Sequence, residues 1–307
     1  MSDLFYIPTA TTHRIPVHQW LPADSPKAVL LIAHGMAEYA MRYAPVARLL
    51  AEQGIAVYAH DQRGHGEAVP RREDQGIVEG DWFQFAVKDM LDVREELHRR
   101  HPGKKIFLLG HSMGSFVAQR FFQVFGNKID GLILSASNGK KDPLLGAGIA
   151  LSWIQMKLLG KKHRSRLLSA LTFGQFNKAF RPNRTAFDWL SRDQRQVDAY
   201  IADPQCGFIV TSTFFHYFFK GIDSILQAHN INNIPGNVPV LVFSGDKDPV
   251  GLNGKGVSEL VRKWTAAGNA RVTHRLYKDG RHEMLNEINR EEVTGDLLAW
   301  ISAVIRG

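Results

Sequence analysis

The segment "KIFLLGHSMGS" (residues 105–115) places a serine between two glycines at the end of a short apolar run. The run predicts a buried strand, and apolar residues within 116–124 recur at helical spacing after it. A strand that turns sharply into a helix strains its turn residue, and glycines two positions away on either side avoid clashes. Such a turn directs the hydroxyl of Ser112 over the carboxyl ends of the strands. It also sets the N–H of Met113 at a helix N-terminus, which favours a developing oxyanion.

Ser112 has two interpretations. Turns rich in Gly and Ser are common, so the pattern Gly-x-Ser-x-Gly by itself also fits a serine that only completes a turn. The strand, turn and helix around Ser112 favour the other interpretation, a catalytic nucleophile.

Five short apolar runs predict a parallel sheet. They are nearly continuous in apolar residues rather than alternating, which is typical of strands buried on both faces. Helical patterns separate them, as between residues 82 and 97, where apolar residues recur every three or four positions. The alternation predicts a doubly wound α/β sheet. The runs are KAVLLIAHG (27–35), IAVYAHD (55–61), KIFLLG (105–110), DGLILSAS (130–137) and VPVLVFSGD (238–246).

Residues 138–222, here called the cap segment, interrupt this alternation. The segment has no clear buried strand and is rich in Phe, Trp, Leu and basic residues. It contains 13 Lys and Arg against 5 Asp, a net charge of +8, which equals that of the whole chain. We predict a helical insertion at 138–222 in a core formed by residues 1–137 and 223–307. A basic excess confined to an aromatic-rich insertion, without a recognition motif, argues against nucleic-acid binding.

The overall composition is that of a soluble globular protein, with 44% hydrophobic and 22% charged residues among 307. No run of eighteen apolar residues predicts a transmembrane helix, and residues 1–16 lack the basic and apolar regions of a signal peptide. Cys206 is the only cysteine, which excludes an intrachain disulfide and fits a reducing compartment. We expect a cytoplasmic protein.

A nucleophilic serine needs a base and a group that orients the base. Such residues follow later strands, in "FSGDKDPVG" and in "YKDGRHEMLNE". His282 is the candidate base. Asp248 is the candidate orienting group, with Asp246 as a rival that spacing alone leaves open, and the order serine, acid, histidine is that of α/β-hydrolases.

Five motifs spread over nearly the whole chain carry a resemblance to a known family. They are HGMAEYAMRY (34–43), DQRGHGEA (61–68), GHSMGS (110–115), SGDKDPV (244–250) and GRHEMLNE (280–287). Together they resemble the monoacylglycerol lipase and lysophospholipase group of the α/β-hydrolase superfamily, also termed serine aminopeptidase S33. The resemblance implies a mostly parallel eight-stranded sheet flanked by helices, with a helical cap insertion.

The resemblance also implies roles for individual residues. It assigns the acid of a Ser112–His282–Asp248 triad to Asp248 rather than Asp246. It assigns the oxyanion hole to the backbone N–H groups of Met36 and Met113.

Two further groups of residues are interpreted as supports. Glu38 and Arg42 are expected to hold the oxyanion loop through hydrogen bonds or an ion pair. Residues 63–66 are interpreted as a structural turn near the pocket.

Three functions are compared. The first is hydrolysis of single-chain lipid esters such as a monoacylglycerol or lysophospholipid, with no metal or cofactor, because His34, His60, His65 and Cys206 lack metal-ligand spacing. The second is an aminopeptidase or amidase, which the basic cap segment disfavours because no acidic cluster there would bind an ammonium group. The third is a binding protein without catalysis, against which the complete ordered triad argues.

The cap segment has two compatible interpretations. Its apolar side chains, with Leu151, Trp153, Ile154 and Phe215 as candidates, are predicted to cover an acyl pocket. Alternatively, its apolar part faces lipid and the following cations, KKHRSR (161–166), face anionic headgroups, which would make the protein peripheral at a membrane.

Overall fold

The structure is a computed structural model in which residues 3–10 and 13–307 are described. The prediction for residues 1–16 therefore lies partly outside the described residues. Eight strands form one sheet in the order β1-β2-β4-β3-β5-β6-β7-β8. The strands are β1 Asp3–Pro8, β2 Arg14–Trp20, β3 Ala28–Ala33, β4 Ile55–His60, β5 Ile106–His111, β6 Gly131–Ser135, β7 Val240–Gly245 and β8 Val272–Tyr277.

The five apolar runs form the central strands β3 to β7, which pair in parallel with one another. Nearly every residue of these strands is buried, because helices cover both faces of the sheet. Strands β1 and β2 join antiparallel at one edge, and β8 is parallel at the other edge with mostly exposed side chains. The predicted fold class, a mostly parallel eight-stranded α/β-hydrolase sheet flanked by helices, is confirmed.

Ten helices connect the strands in the described part of the chain. In α2 the predicted apolar stripe is buried from end to end, so its spacing is confirmed. In α3, however, Val124 is exposed and Phe122 is buried, because α3 packs against the sheet, α2 and α7 and buries more than one stripe. The helices are α1 Ala44–Glu52, α2 Trp82–Arg100, α3 Met113–Phe125, α4 Leu145–Leu158, α5 Arg166–Phe173, α6 Gln194–Ala202, α7 Ser212–Ile225, α8 Ala228–Ile231, α9 Lys255–Ala266 and α10 Arg290–Arg306.

Helices α4 to α7 lie between β6 and β7, where the helical insertion is predicted. The last of them packs on the core: the ring of Phe214 stacks on Trp82 of α2 at 4.0 Å, and the indole N–H of Trp82 donates to the Phe214 carbonyl oxygen at 2.9 Å. Helix α7 also ends at Ile225, three residues beyond the predicted boundary. The bounds 138–222 therefore stay a prediction.

The sheet separates two hydrophobic layers. One layer contains Trp82, Phe121, Phe214 and Trp264 from α2, α3, α7 and α9. The other contains side chains of α1 and α10. The parallel strands β3 to β8 point their carboxyl ends to one edge of the sheet, and the loops at this edge carry the candidate site.

No helix among residues 3–10 and 13–307 combines the length and the apolar character needed to cross a bilayer.

Candidate active site

Ser112 occupies a sharp turn between β5 and α3. Its backbone has φ 50° and ψ −117°, in a region that residues other than glycine rarely adopt, and its N–H donates to Ser135 of β6 at 3.0 Å. A Cβ atom at Gly110 would lie 2.5 Å from the carbonyl oxygen of Gly114, and a Cβ at Gly114 would overlap the carbonyl oxygen of Ala33. The two glycines thus allow the strand and helix to pack as closely as the turn requires.

His282 and Asp248 form a buried pair at the ends of β8 and β7. The Nδ1 of His282 lies 2.9 Å from Oδ1 of Asp248, and both side chains are almost fully buried. The carboxylate of Asp248 also accepts hydrogen bonds from the Ser244 hydroxyl at 2.8 Å and from the Val250 N–H at 3.0 Å. Asp246, the rival, has Lys247 as its ion-pair partner at 3.9 Å. The structure therefore brings Asp248, and not Asp246, to the histidine.

The charges of this pair stabilise each other. Burial by itself lowers the pKa of His282, but the negative charge and hydrogen bond of Asp248 outweigh it, so the pKa is raised above 6.5. Burial raises the pKa of Asp248, but the charge of His282 and the hydrogen bonds to the carboxylate lower it below 3.8. Asp248 therefore stabilises the positive charge that His282 gains when it accepts a proton.

Ser112 and His282 line the same cavity, which has a volume of about 280 Å³. The imidazole of His282 lies between two rings, with Trp189 of the cap segment at 4.8 Å and His111 at 4.9 Å between ring centroids. Burial, and then the charge of His282, lowers the pKa of His111 to about 4, so His111 is neutral at pH 7. Phe215, a predicted pocket residue, lines the same cavity.

Met36 and Met113 both lie in cavity walls that Ser112 shares. Met36 follows β3 and lines this cavity, and Met113 is the first residue of α3. In the described residues neither N–H has an acceptor within the protein. This leaves both groups available for an oxygen atom of a bound molecule.

A buried ion triad joins the loop of Met36 to the loop of His282. The guanidinium of Arg42 donates to Glu38 at 2.6 Å and, through two nitrogens, to both oxygens of Glu283 at 2.7 Å. The other oxygen of Glu38 accepts the N–H of Gly35, the neighbour of Met36, at 2.5 Å. Burial raises the pKa of Glu283, but Arg42 outweighs this and lowers it to about 2. Glu283, the residue after His282, thus joins Glu38 and Arg42 in the expected support of the oxyanion loop. The sequence analysis assigned no role to Glu283.

The turn 63–66 contacts the oxyanion loop through His65. The N–H of Ala37 donates to Nε2 of His65 at 3.1 Å. Burial, and then the nearby His34, lowers the pKa of His65 to about 3, so the ring stays neutral and accepts this bond. The contact fits the interpretation of this turn as structural.

Across residues 3–10 and 13–307, no group of three or more His, Cys, Asp and Glu side chains has the arrangement of a metal site. Cys206 is a free thiol whose pKa burial raises well above its usual range, so the thiolate is disfavoured.

A second and larger cavity, of about 580 Å³, also reaches Ser112 and Met36. Apolar side chains of α4, α5 and α7 contribute to its wall, and Leu151 is one of them. The expectation that Trp153 and Ile154 cover the pocket needs a correction, because neither lines either of these two cavities and their exposed fractions are 49% and 45%. At about 100° per residue, Trp153 falls on the face of α4 opposite to Leu151, whereas Ile154 lies only about 60° from Leu151, at the margin of the inner face.

Comparison with known proteins relates the chain to ester hydrolases. Residues 24–289 match the family described as serine aminopeptidase, S33. Human monoglyceride lipase is 27% identical over 307 residues, covering 98% of this chain and 91% of the relative. Monoacylglycerol lipase of Mycolicibacterium smegmatis is 26% identical over 288 residues, covering 94% of this chain and 92% of the relative.

Solved structures share the fold. A thermostable carboxyl esterase from Bacillus coagulans, in complex with glycerol, superposes with a TM-score of 0.88 at 24% identity and covers 99% of each chain. A soluble variant of monoglyceride lipase from Saccharomyces cerevisiae superposes with a TM-score of 0.76 at 19% identity, covering 99% of this chain and 95% of that one.

Proposed function

The chain belongs to the serine aminopeptidase S33 family of the α/β-hydrolases, and we propose that it hydrolyses the ester bond of single-chain lipids, such as a monoacylglycerol or a lysophospholipid. The named relatives, which include monoglyceride lipases and a phospholipase of Bacillus subtilis, support a lipid ester as the substrate. The observation that carries the proposal is the 2.9 Å contact between His282 and Asp248 beside a cavity that Ser112 shares.

The proposed reaction begins with proton transfer. Asp248 orients His282 through Nδ1 and leaves Nε2 to accept the hydroxyl proton of Ser112 while the oxygen attacks the ester carbonyl. The N–H groups of Met36 and Met113 would stabilise the oxyanion that forms. His282 then gives its proton to the leaving alkoxide, and an acyl group remains on Ser112. A water molecule deprotonated by His282 releases the fatty acid and restores the serine.

The larger cavity is proposed to hold the acyl chain. Its volume of about 580 Å³ falls in the range of small-molecule sites. Because its wall is mostly apolar, binding there would remove a hydrocarbon tail from contact with water. The smaller cavity would take the alcohol part of the ester, because polar side chains such as Tyr200 and Ser169 contribute to its wall.

An aminopeptidase would need a carboxylate to bind the substrate ammonium. The two carboxylates in the wall of the smaller cavity, Glu38 and Glu283, both bind Arg42. Asp142, at the larger cavity, has its Oδ1 bonded to the N–H of Leu144. These pairings favour an uncharged ester over an aminoacyl substrate.

The test is hydrolysis of acyl esters with tails of 4 to about 18 carbons, compared with aminoacyl amides, by wild type and S112A. We expect turnover of esters by the wild type, a preference for apolar tails, and none of these activities in S112A. Equal ester turnover by S112A, or faster cleavage of aminoacyl amides than of esters, would contradict the proposal. Absence of any turnover by the wild type would favour a binding protein.

The outer face of the cap segment is proposed to contact anionic membranes. Five large apolar side chains of α4, the turn after it and α5 are at least 45% exposed and line neither cavity, and Lys157, Lys161 and Lys162 are near them in sequence. Apolar side chains beside cations fit an anionic interface. The apolar residues are Trp153, Ile154, Leu158, Leu159 and Leu167.

Co-sedimentation with phosphatidylglycerol and phosphatidylcholine vesicles tests this contact. We expect binding to the anionic vesicles, weakened by salt and by L158D. The matched control L49D changes an exposed leucine on α1, outside the cap segment, and should bind as the wild type does. Equal sedimentation of L158D and L49D would exclude this surface. The cytoplasmic location stays a prediction.

A further inference from the structure

A short stretch of the cap segment is bonded directly to the loop of His282. Residues 188–193, here called the clasp, pass beside residues 281–290, here called the histidine loop. The N–H of His282 donates to the carbonyl oxygen of Trp189 at 3.4 Å, and the N–H of Glu283 donates to that of Leu190 at 2.8 Å. The histidine backbone is therefore held by the cap segment as well as by β8.

One buried carboxylate joins the two segments. The side chain of Glu287 is fully buried. Its Oε1 accepts the backbone N–H of Arg192 at 3.0 Å and that of Arg281 at 3.1 Å. Its Oε2 accepts the guanidinium of Arg192 at 3.0 Å and the N–H of Ile288 at 2.9 Å. A single carboxylate thus receives four donors, of which one is cationic.

Further bonds extend this junction on both sides. The guanidinium of Arg281 donates to the carbonyl oxygens of Asp188 and Ser191. The Ser191 hydroxyl donates to the carbonyl oxygen of Asn286 at 3.0 Å, and Arg290 pairs with Asp193 at 2.9 Å. Most of these bonds have a backbone group as one partner, so they fix the path of the chain and not only side chains.

The junction reaches His282 through Trp189. The indole lies 4.8 Å from the imidazole between ring centroids, and both rings line the smaller cavity. A shift of the clasp would move this ring and the backbone acceptor of the His282 N–H together. Catalytic rates respond steeply to such shifts, and a displacement of about 1 Å can cost about 100-fold.

We propose that Glu287 is a positioning residue for the reaction, which holds the clasp on the histidine loop and thereby sets the orientation of His282 towards Ser112. The proposal rests on the proposed role of His282 as the base. Glu287 lies five residues from His282 along the chain and acts through Trp189 and the loop backbone. It is not a group that touches the ester.

The experiment compares steady-state ester hydrolysis by wild type, S112A, E287Q and a control. In E287Q the amide nitrogen faces two N–H donors and cannot accept them, while the shape of the side chain is kept. We expect kcat to fall by about 10- to 100-fold with KM within about twofold of wild type. The control N269A removes a fully buried side chain that makes three hydrogen bonds near the amino end of β8, away from the site. It should lose thermal stability with kcat unchanged.

A second variant keeps the test decisive if E287Q folds poorly. R192M removes the guanidinium bond to Glu287 but keeps the backbone N–H bond, so a smaller fall in kcat, about threefold to tenfold, is expected. Wild-type kcat in folded E287Q or in R192M would overturn the proposal, as would a fall in N269A as large as that in E287Q. Failure of the proposed function is distinguishable, because then the wild type is inactive or S112A is as active as the wild type.

Discussion

At the scale of single residues, backbone strain collects at the carboxyl edge of the sheet. Ala37, Ser112 and Ala136 follow β3, β5 and β6, and each has a φ between 50° and 55°. Neighbouring strands and loops hold these conformations: the Ala136 N–H donates to Phe243 at 2.9 Å, and the Ala37 N–H donates to His65 at 3.1 Å. Strain at this edge, next to the cavity, fits a site in which groups must be held in place before substrate binds.

The variant D248N tests the pairing of Asp248 with His282. An asparagine at this position no longer favours the tautomer with a proton on Nδ1, so we expect kcat to fall by about 10⁴-fold. The lost negative charge also lowers the pKa of His282, because the strongest opposition to burial is removed and only the more weakly acting Glu283 and Glu38 remain. Since the base must be neutral to act, the acid limb of the kcat/KM profile should move to lower pH. D246N should match the wild type, and equal losses in both variants would contradict the assignment.

The variant E283Q tests the ion triad through the pH dependence of stability. Folding lowers the pKa of Glu283 from 4.5 to about 2, so the folded state binds fewer protons between these values than the unfolded state. The ion pair of Glu283 with Arg42 therefore raises the free energy of unfolding by about 3 kcal/mol above about pH 4.5. This stabilisation is lost as the pH falls towards 2. Urea unfolding should show E283Q less stable at pH 7, with the difference shrinking below pH 4.5.

The matched control for the ion triad is E259Q. Glu259 pairs with Arg262 on the surface of α9, where solvent screening leaves little net stabilisation. A loss of stability in E283Q that stays constant from pH 7 to pH 3.5, or one no larger than that of E259Q, would contradict the role of the triad.

The residues of the site could be predicted from the sequence where a motif identified them. The Gly-x-Ser-x-Gly pattern identified the turn of Ser112, because its steric demands are local. Asp248 and Asp246 were not separable by spacing, since both follow β7 and only the fold determines which carboxylate reaches His282. Glu283 and Glu287 lie in the motif GRHEMLNE, but the sequence predicted no role for either. Their partners Arg42 and Arg192 are distant in sequence.

At the scale of elements, α4 contributes part of the wall of the larger cavity. Leu151 lines it, and Trp153, two residues later, is exposed. We expect L151W to reduce the usable depth and to lower kcat/KM for long-chain esters about tenfold, with short-chain esters little affected. The measurement is a series of p-nitrophenyl esters of increasing tail length. The control W153L, on the outer face, should keep the wild-type profile, and the same profile in L151W would exclude the cavity as the acyl site.

The packing of α7 on α2 supplies a second prediction for elements. W82F removes the indole N–H that bonds the Phe214 carbonyl oxygen and leaves a small void, so the free energy of unfolding should fall by about 2–3 kcal/mol. Urea unfolding measures the change. W153F, at an exposed position, should stay within about 0.5 kcal/mol of wild type. A loss below 1 kcal/mol in W82F would show that α7 is only loosely attached.

The cap helices were less predictable than the strands. Strands β3 to β7 are buried on both faces, so continuous apolar runs marked them. Helix α4 is apolar on most sides, with Trp153 and Ile154 exposed and Leu145 buried, so periodicity did not indicate its inner face. Strands β1 and β2, at one end of the sheet, were missed because their pairing is antiparallel and their apolar runs are short.

At the scale of the whole molecule, charge and chemistry are separated along the chain. The cap segment carries a net charge of +8, and the remaining residues together carry no net charge. The core supplies Ser112, Asp248 and His282, and the cap segment supplies the apolar walls, the clasp and the exposed basic face. This division fits a hydrolase in which the core performs the reaction, while the cap segment binds the lipid and contacts the membrane.

The most direct test of the account is covalent labelling of the full chain by a fluorophosphonate, followed by intact mass measurement and peptide mapping. Wild type, S112A and H282A are treated in parallel. We expect one probe molecule per chain, attached to Ser112, no labelling of S112A, and labelling of H282A slowed by about 10³-fold or more. Labelling at another residue, or an H282A rate equal to that of the wild type, would contradict a proton relay between these side chains.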